Sequence, residues 1–144
     1  MKAFVDNKIT KRDLRRQICN MAKESGVKKV SFNNKAKYVM GTFNALNNVI
    51  YIDVKQSKRD MLLTFFHEMG HFTAVKKKKW LVYHFQPNTP LLSADKKFDI
   101  ENKIDKIAKQ LWNKHVDTKI WGKYKYGYPL IEKRESVNWM KKHF

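Results

Sequence analysis

Residues 58–76 constrain the fold of this chain more tightly than any other stretch. Their N-terminal half, with Met61, Leu62, Leu63, Phe65, Phe66 and Met69, is apolar almost without interruption. A helix lacking a polar face belongs in the middle of a domain. The same stretch nevertheless carries His67, Glu68 and His71. Burying three ionisable groups without partners is costly. The rest of the chain must therefore supply both a cover for this helix and partners for these three side chains. The lysine run Lys76–Lys79 closes the helix, a basic end that suits its dipole.

The flanking sequence predicts an α+β order. A first helix over 10–25 is capped by Thr10 and stopped by Gly26, with Leu14, Ile18 and Met21 at helical spacing. Strand-like segments follow at Val27–Phe32, Tyr38–Phe43 and Val49–Ile52, the last fully apolar. A third helix is expected from Ser93 or Asp95 to about His115, with Phe98, Ile104, Ala108, Leu111 and Trp112 facing inward. With 144 residues, the chain suffices for one domain, 1–144, with a core at about 27–116 and an aromatic, basic tail at 117–144. A short helix is expected over Glu132–Lys142. Cys19 reads as a small buried hydrophobe; a single cysteine excludes an internal disulfide or a multi-cysteine zinc ribbon. No apolar run approaches the ~18–20 residues of a spanning helix, and the N-terminal segment does not resemble a secretion signal. A cytoplasmic setting is expected.

His67 and His71, four residues apart, project from one helix face and can bind the same ion. Glu68 points aside, towards a water on that ion rather than the ion itself. Neutral imidazole suits Zn2+, which lowers the pKa of its water towards ~7 so that a carboxylate can take the proton. This His-Glu-x-x-His spacing is that of zinc peptidases, with Glu68 as general base. Gly70 leaves room for a facing backbone. A catalytic site needs a third protein ligand. Glu101 is one candidate, with Asp105 four residues on, placed to orient a ligand imidazole. His84 is the rival. Glu101 is preferred because one helical face sets both groups. Tyr83, His84, His115 or a tail tyrosine could serve the oxyanion, and Val49, Ile50, Tyr51 and Ile52 are expected to form the edge to which an extended peptide adds.

Gly41-Thr-Phe, Val49-Ile-Tyr-Ile-Asp and Leu63-Thr-Phe-Phe-His-Glu-Met-Gly-His-Phe together resemble the core of the ImmA/IrrE family of zinc metallopeptidases. Glu101-Asn-Lys-Ile-Asp-Lys-Ile-Ala108 is similar in spacing to the helix that carries that family's third ligand. The resemblance spans about residues 39–112. Ile104 and Ile107 stand where the family has alanine and phenylalanine, and no helix-turn-helix module is evident. Membership would imply a small zincin-like domain, with a short, mostly antiparallel sheet packed on the active-site helix and further helices. It would also imply one Zn2+ per chain, held by His67, His71 and Glu101, and cleavage of a regulatory protein. A weaker similarity is to SprT-like, DNA-associated proteases, with His84 as third ligand.

Charge adds a second class of partner. Thirty-one Lys and Arg against 13 Asp and Glu give +18, which excludes an acidic or near-neutral enzyme and favours anionic partners. The tail mixes Trp121, Tyr124, Tyr126, Tyr128 and Trp139 with Lys119, Lys123, Lys125, Lys133 and Arg134. That is the composition of a single-strand nucleic-acid surface, or of a cover whose aromatics pack on the core while its lysines stay in water. The alternative to a peptidase acting on a protein substrate is thus a basic nucleic-acid-binding or nucleoprotein-associated module whose zinc site is structural or inactive. The Lys- and Asn-rich composition fits a bacterial or phage-infected host cell.

Overall fold

The computed structural model describes residues 2–33, 40–77 and 94–126, a small α+β domain. Tyr83, His84, the side chain of Phe98 and the expected helix over Glu132–Lys142 lie outside the described residues. Helix α1 (Lys11–Ser25) begins where Thr10 accepts a hydrogen bond from the Asp13 amide, and ends at Gly26 in a left-handed conformation (φ 109°). Leu14, Ile18 and Ala22 form its buried stripe. Cys19 is only partly buried, and that burial pushes its thiol pKa up despite Lys23 and Arg15 nearby.

Strands β1 (Lys29–Asn33), β2 (Gly41–Asn44) and β3 (Val49–Asp53) make one sheet in the order β1-β3-β2. β3 runs parallel to β1 and antiparallel to β2. The sheet is therefore mixed, which corrects the expectation of a mostly antiparallel one. It also corrects the placing of Val49, Ile50, Tyr51 and Ile52 at an edge, since β3 is hydrogen-bonded on both sides. The physical reason is in the segment itself: Val49, Ile50 and Ile52 are buried, as the central strand of a covered sheet requires. Among the described residues β1 and β2 are the edge strands, and β2 is the one beside Thr64 and Glu68 of the long helix.

That helix, α2 (Lys58–Lys77), is buried continuously from Met61 to His71. Ser57 starts it by accepting from the Asp60 amide. Gln56 ties this start to the sheet, donating to the carbonyls of Met40 and Asp53 and accepting from Thr64 Oγ1. Helix α3 (Ala94–His115) packs along α2 with Ile104, Ala108 and Trp112 fully buried, as its periodicity predicts. The short α4 (Thr118–Trp121) is capped by Asp117. In α4 and just beyond it Trp121, Tyr124 and Tyr126 are buried while Lys119, Lys123 and Lys125 are exposed. Over these residues the tail is a cover, and its rings are not available for stacking on bases. The N-terminal segment is tied in by a bridge from Phe4 to Val116, with Phe4 packed edge-on against Phe66. Among the described residues no helix is long and apolar enough to cross a membrane.

Candidate metal centre

Two close backbone approaches set the site. At Gly70, an added Cβ would lie 2.8 Å from the carbonyl oxygen of Ile104 and 3.0 Å from its Cγ2. Only a glycine lets α3 come this close to α2, and that closeness brings Glu101 and Asp105 opposite the histidines. At Gly41, an added Cβ would meet Thr64 Cγ2 at 2.5 Å, the Tyr51 carbonyl at 2.8 Å and Glu68 Cγ at 3.6 Å. The start of β2 thus runs directly over Thr64 and Glu68.

His67 and His71 stand on one face of α2, ring centroids 5.0 Å apart, both buried. Glu101 meets both: Oε2 lies 3.1 Å from His67 Nε2 and Oε1 lies 3.3 Å from His71 Nε2. His67, His71 and Glu101 offer one donor atom each within 4.8 Å of one another, close enough to hold a metal ion. Donors ~2.0–2.1 Å from a tetrahedral zinc stand about 3.3 Å apart. Each of the two separations, one to each carboxylate oxygen, is close to that spacing. Glu101 Oε2 is buried and engages in no hydrogen bond, although an imidazole nitrogen is at hand. Two nitrogens and a carboxylate oxygen converging in this way fit a zinc ligand set.

Behind His67, Asp105 Oδ1 approaches Nδ1 at 3.8 Å, and this buried nitrogen has no hydrogen bond. Without a cation, burial would lower the His67 pKa, but the Asp105 and Glu101 carboxylates outweigh it and hold the imidazole up at about 10. Glu101 is shifted in the other direction. Despite its burial, His71 and His67 keep it well below the usual carboxylate range. Glu68 is buried beside them, and desolvation raises its pKa against the pull of His71 and His67. A carboxylate poised upward in this way suits a general base near neutral pH.

No protein-family model matches the chain, and no curated protein or solved structure is significantly similar to it.

Of the residues singled out from the sequence, His67, Glu68, His71, Glu101 and Asp105 come together. His115 does not. It is 14 residues beyond Glu101 on one helix, about 20 Å along the axis. There its ring stacks on Phe66, and burial together with the nearby Lys114, Lys2 and the N-terminal amine lowers its pKa. That removes His115 from the oxyanion candidates. A tail tyrosine does reach the site: the Tyr126 ring stacks on His67, centroids 4.2 Å apart and 12° from parallel. Two contacts were not legible in the sequence. Tyr124 donates to Asp105 Oδ1 at 2.7 Å, and Tyr126 is the ring that stacks on His67. The only signal was the alternation Lys123-Tyr124-Lys125-Tyr126, which puts both rings on one side of an extended segment.

Proposed function

We propose that the protein is a zinc-dependent peptidase of the ImmA/IrrE kind, hydrolysing peptide bonds in a protein substrate. The observation that carries this reading is the convergence of His67 Nε2, His71 Nε2 and the Glu101 carboxylate beside a buried, upward-shifted Glu68. His67, His71 and Glu101 would hold the ion, whose chemistry is Lewis-acid polarisation of a carbonyl oxygen and of water. Glu68 accepts a proton from the attacking water and delivers it to the leaving amine. Burial of Glu68 raises its proton affinity, which favours the first step. The start of β2, an edge strand among the described residues, passes over Glu68, so an extended peptide pairing with β2 would be carried past the proton acceptor.

The test pairs metal content with hydrolysis of an unfolded protein such as casein. Wild type should contain about one zinc per chain; Glu68→Gln should keep the zinc and lose hydrolysis by about 10²–10⁴-fold. Retention of both would overturn the reading.

A second reading, a nucleic-acid-associated module, is favoured by the excess of 31 basic over 13 acidic residues and by the exposed Lys119, Lys123 and Lys125. It predicts oligonucleotide affinity that falls steeply with salt and is unchanged in Glu68→Gln.

A further inference from the structure

The segment that follows α4 is fastened to the body by its own backbone. The carbonyls of three consecutive residues are engaged: Trp121 accepts from Arg59 Nε at 2.9 Å, Gly122 from Trp112 Nε1 at 3.0 Å, and Lys123 from Arg59 Nη2 at 3.1 Å. Gly122, at φ +88°, makes the turn, and an added Cβ there would press on the Arg59 guanidinium at 3.3 Å. From this clamp the chain runs with alternate side chains inward. Tyr124 reaches Asp105, and Tyr126 lies flat on His67. Both rings are buried, while Lys123 and Lys125 between them are exposed.

We infer that Gly122–Tyr126 is a strap that fixes the metal-ligating imidazole of His67, with Tyr124 and Tyr126 as positioning residues. The inference rests on the metal-centre reading above. Two independent contacts support it. An imidazole can rotate about its Cβ–Cγ bond, and the flat Tyr126 ring blocks that rotation from one side. Asp105 Oδ1 stands 3.8 Å from Nδ1, short of a hydrogen bond, and the Tyr124 hydroxyl holds that same oxygen beside the ring. Groups that orient a ligand in this manner govern metal affinity and geometry even though they never touch the ion. Arg59 and Trp112, further from the ion still, set where the strap lies.

The test is zinc affinity by competition with a chelator, together with the visible absorption spectrum of the cobalt-substituted protein. Tyr124→Phe removes one oxygen and should weaken zinc binding about 10-fold, the lower end of the range for such outer partners. Tyr126→Leu should weaken it at least as much and shift the cobalt bands, whereas Tyr126→Phe, which retains the stacked ring, should restore the wild-type spectrum. Should Tyr126→Leu fail to fold, Tyr124→Phe carries the test alone. Wild-type affinity and spectrum in Tyr124→Phe, in a wild-type protein that does bind zinc, would overturn the strap. Failure of wild type itself to bind zinc or cobalt would instead overturn the metal-centre reading.

Discussion

Glu101 touches two imidazoles at once, one oxygen to each. His67 also has a carboxylate, Asp105, near its second ring nitrogen and a tyrosine on its face. Loss of Glu101 and loss of Asp105 should therefore differ in kind. Glu101→Ala is expected to abolish stoichiometric zinc, and Asp105→Ala to leave it bound but about 10–100-fold weaker, as measured by chelator competition. The raised His67 pKa has a signed consequence. In the metal-free protein its extra stability is fully present below pH ~6.5, the unfolded value, and is lost as pH rises through about 10. Between those limits His67 carries a proton that zinc must displace. Zinc binding should therefore release about one proton, and affinity should tighten about tenfold per pH unit between pH 7 and 9. A pH-stat titration reads this directly, and the absence of proton release would contradict it. At this scale the sequence was informative where helical geometry ties spacing to direction. The four-residue intervals from His67 to His71 and from Glu101 to Asp105 identified the groups that meet. Tyr124 and Tyr126 lie outside a helix, where nothing in their spacing says which side chain they will face.

Between elements, the decisive contact is the one at Gly70. Alanine is the better helix former by about 1 kcal/mol, yet at this position its methyl group would strike backbone, the Ile104 carbonyl at 2.8 Å. Gly70→Ala should push α3 away from α2 and draw Glu101 from the histidines. The expected result is a loss of about 1–3 kcal/mol in stability, as for other overpacked cores, accompanied by weakened zinc binding. Chemical denaturation and chelator competition measure the two effects separately. Undiminished zinc affinity in a folded Gly70→Ala protein would show that the helix spacing does not govern the site. The strands show the limit of a linear reading. Helices α1, α2 and α3 lie close to their expected ranges because helix limits are set by residues near in sequence. Strand neighbours are set by distant segments, so Val49–Ile52 was misplaced at an edge. Its unbroken apolar run was nonetheless the signature of a strand covered on both faces.

The whole molecule carries +18 on 144 residues, and its described core is walled off from that charge. Among the described residues lysines and arginines lie at or near the surface, while the carboxylates of Glu68 and Glu101 are turned inward. Self-repulsion of this magnitude opposes compaction and is screened by salt. Raising ionic strength from about 0.01 to 0.3 M should raise the melting temperature, by roughly 4 °C for each kcal/mol of repulsion relieved. A fall in melting temperature over that range would mean that exposed ion pairs, rather than repulsion, dominate the surface. The strand order bears on how such a chain assembles. Among the described strands β3 is the last in the chain and the one that pairs with both others. A nascent chain that has emerged only as far as Asn44 holds β1 and β2 with no partner between them, so no sheet can begin. The antiparallel β2–β3 ribbon, closed by a short turn through Asn48, is the cheapest pairing to form once β3 appears. β1 must wait for it and dock alongside. The helix bearing His67, Glu68 and His71 follows within a few residues of β3, so in chain order these groups come only after the strand that gives the sheet its middle.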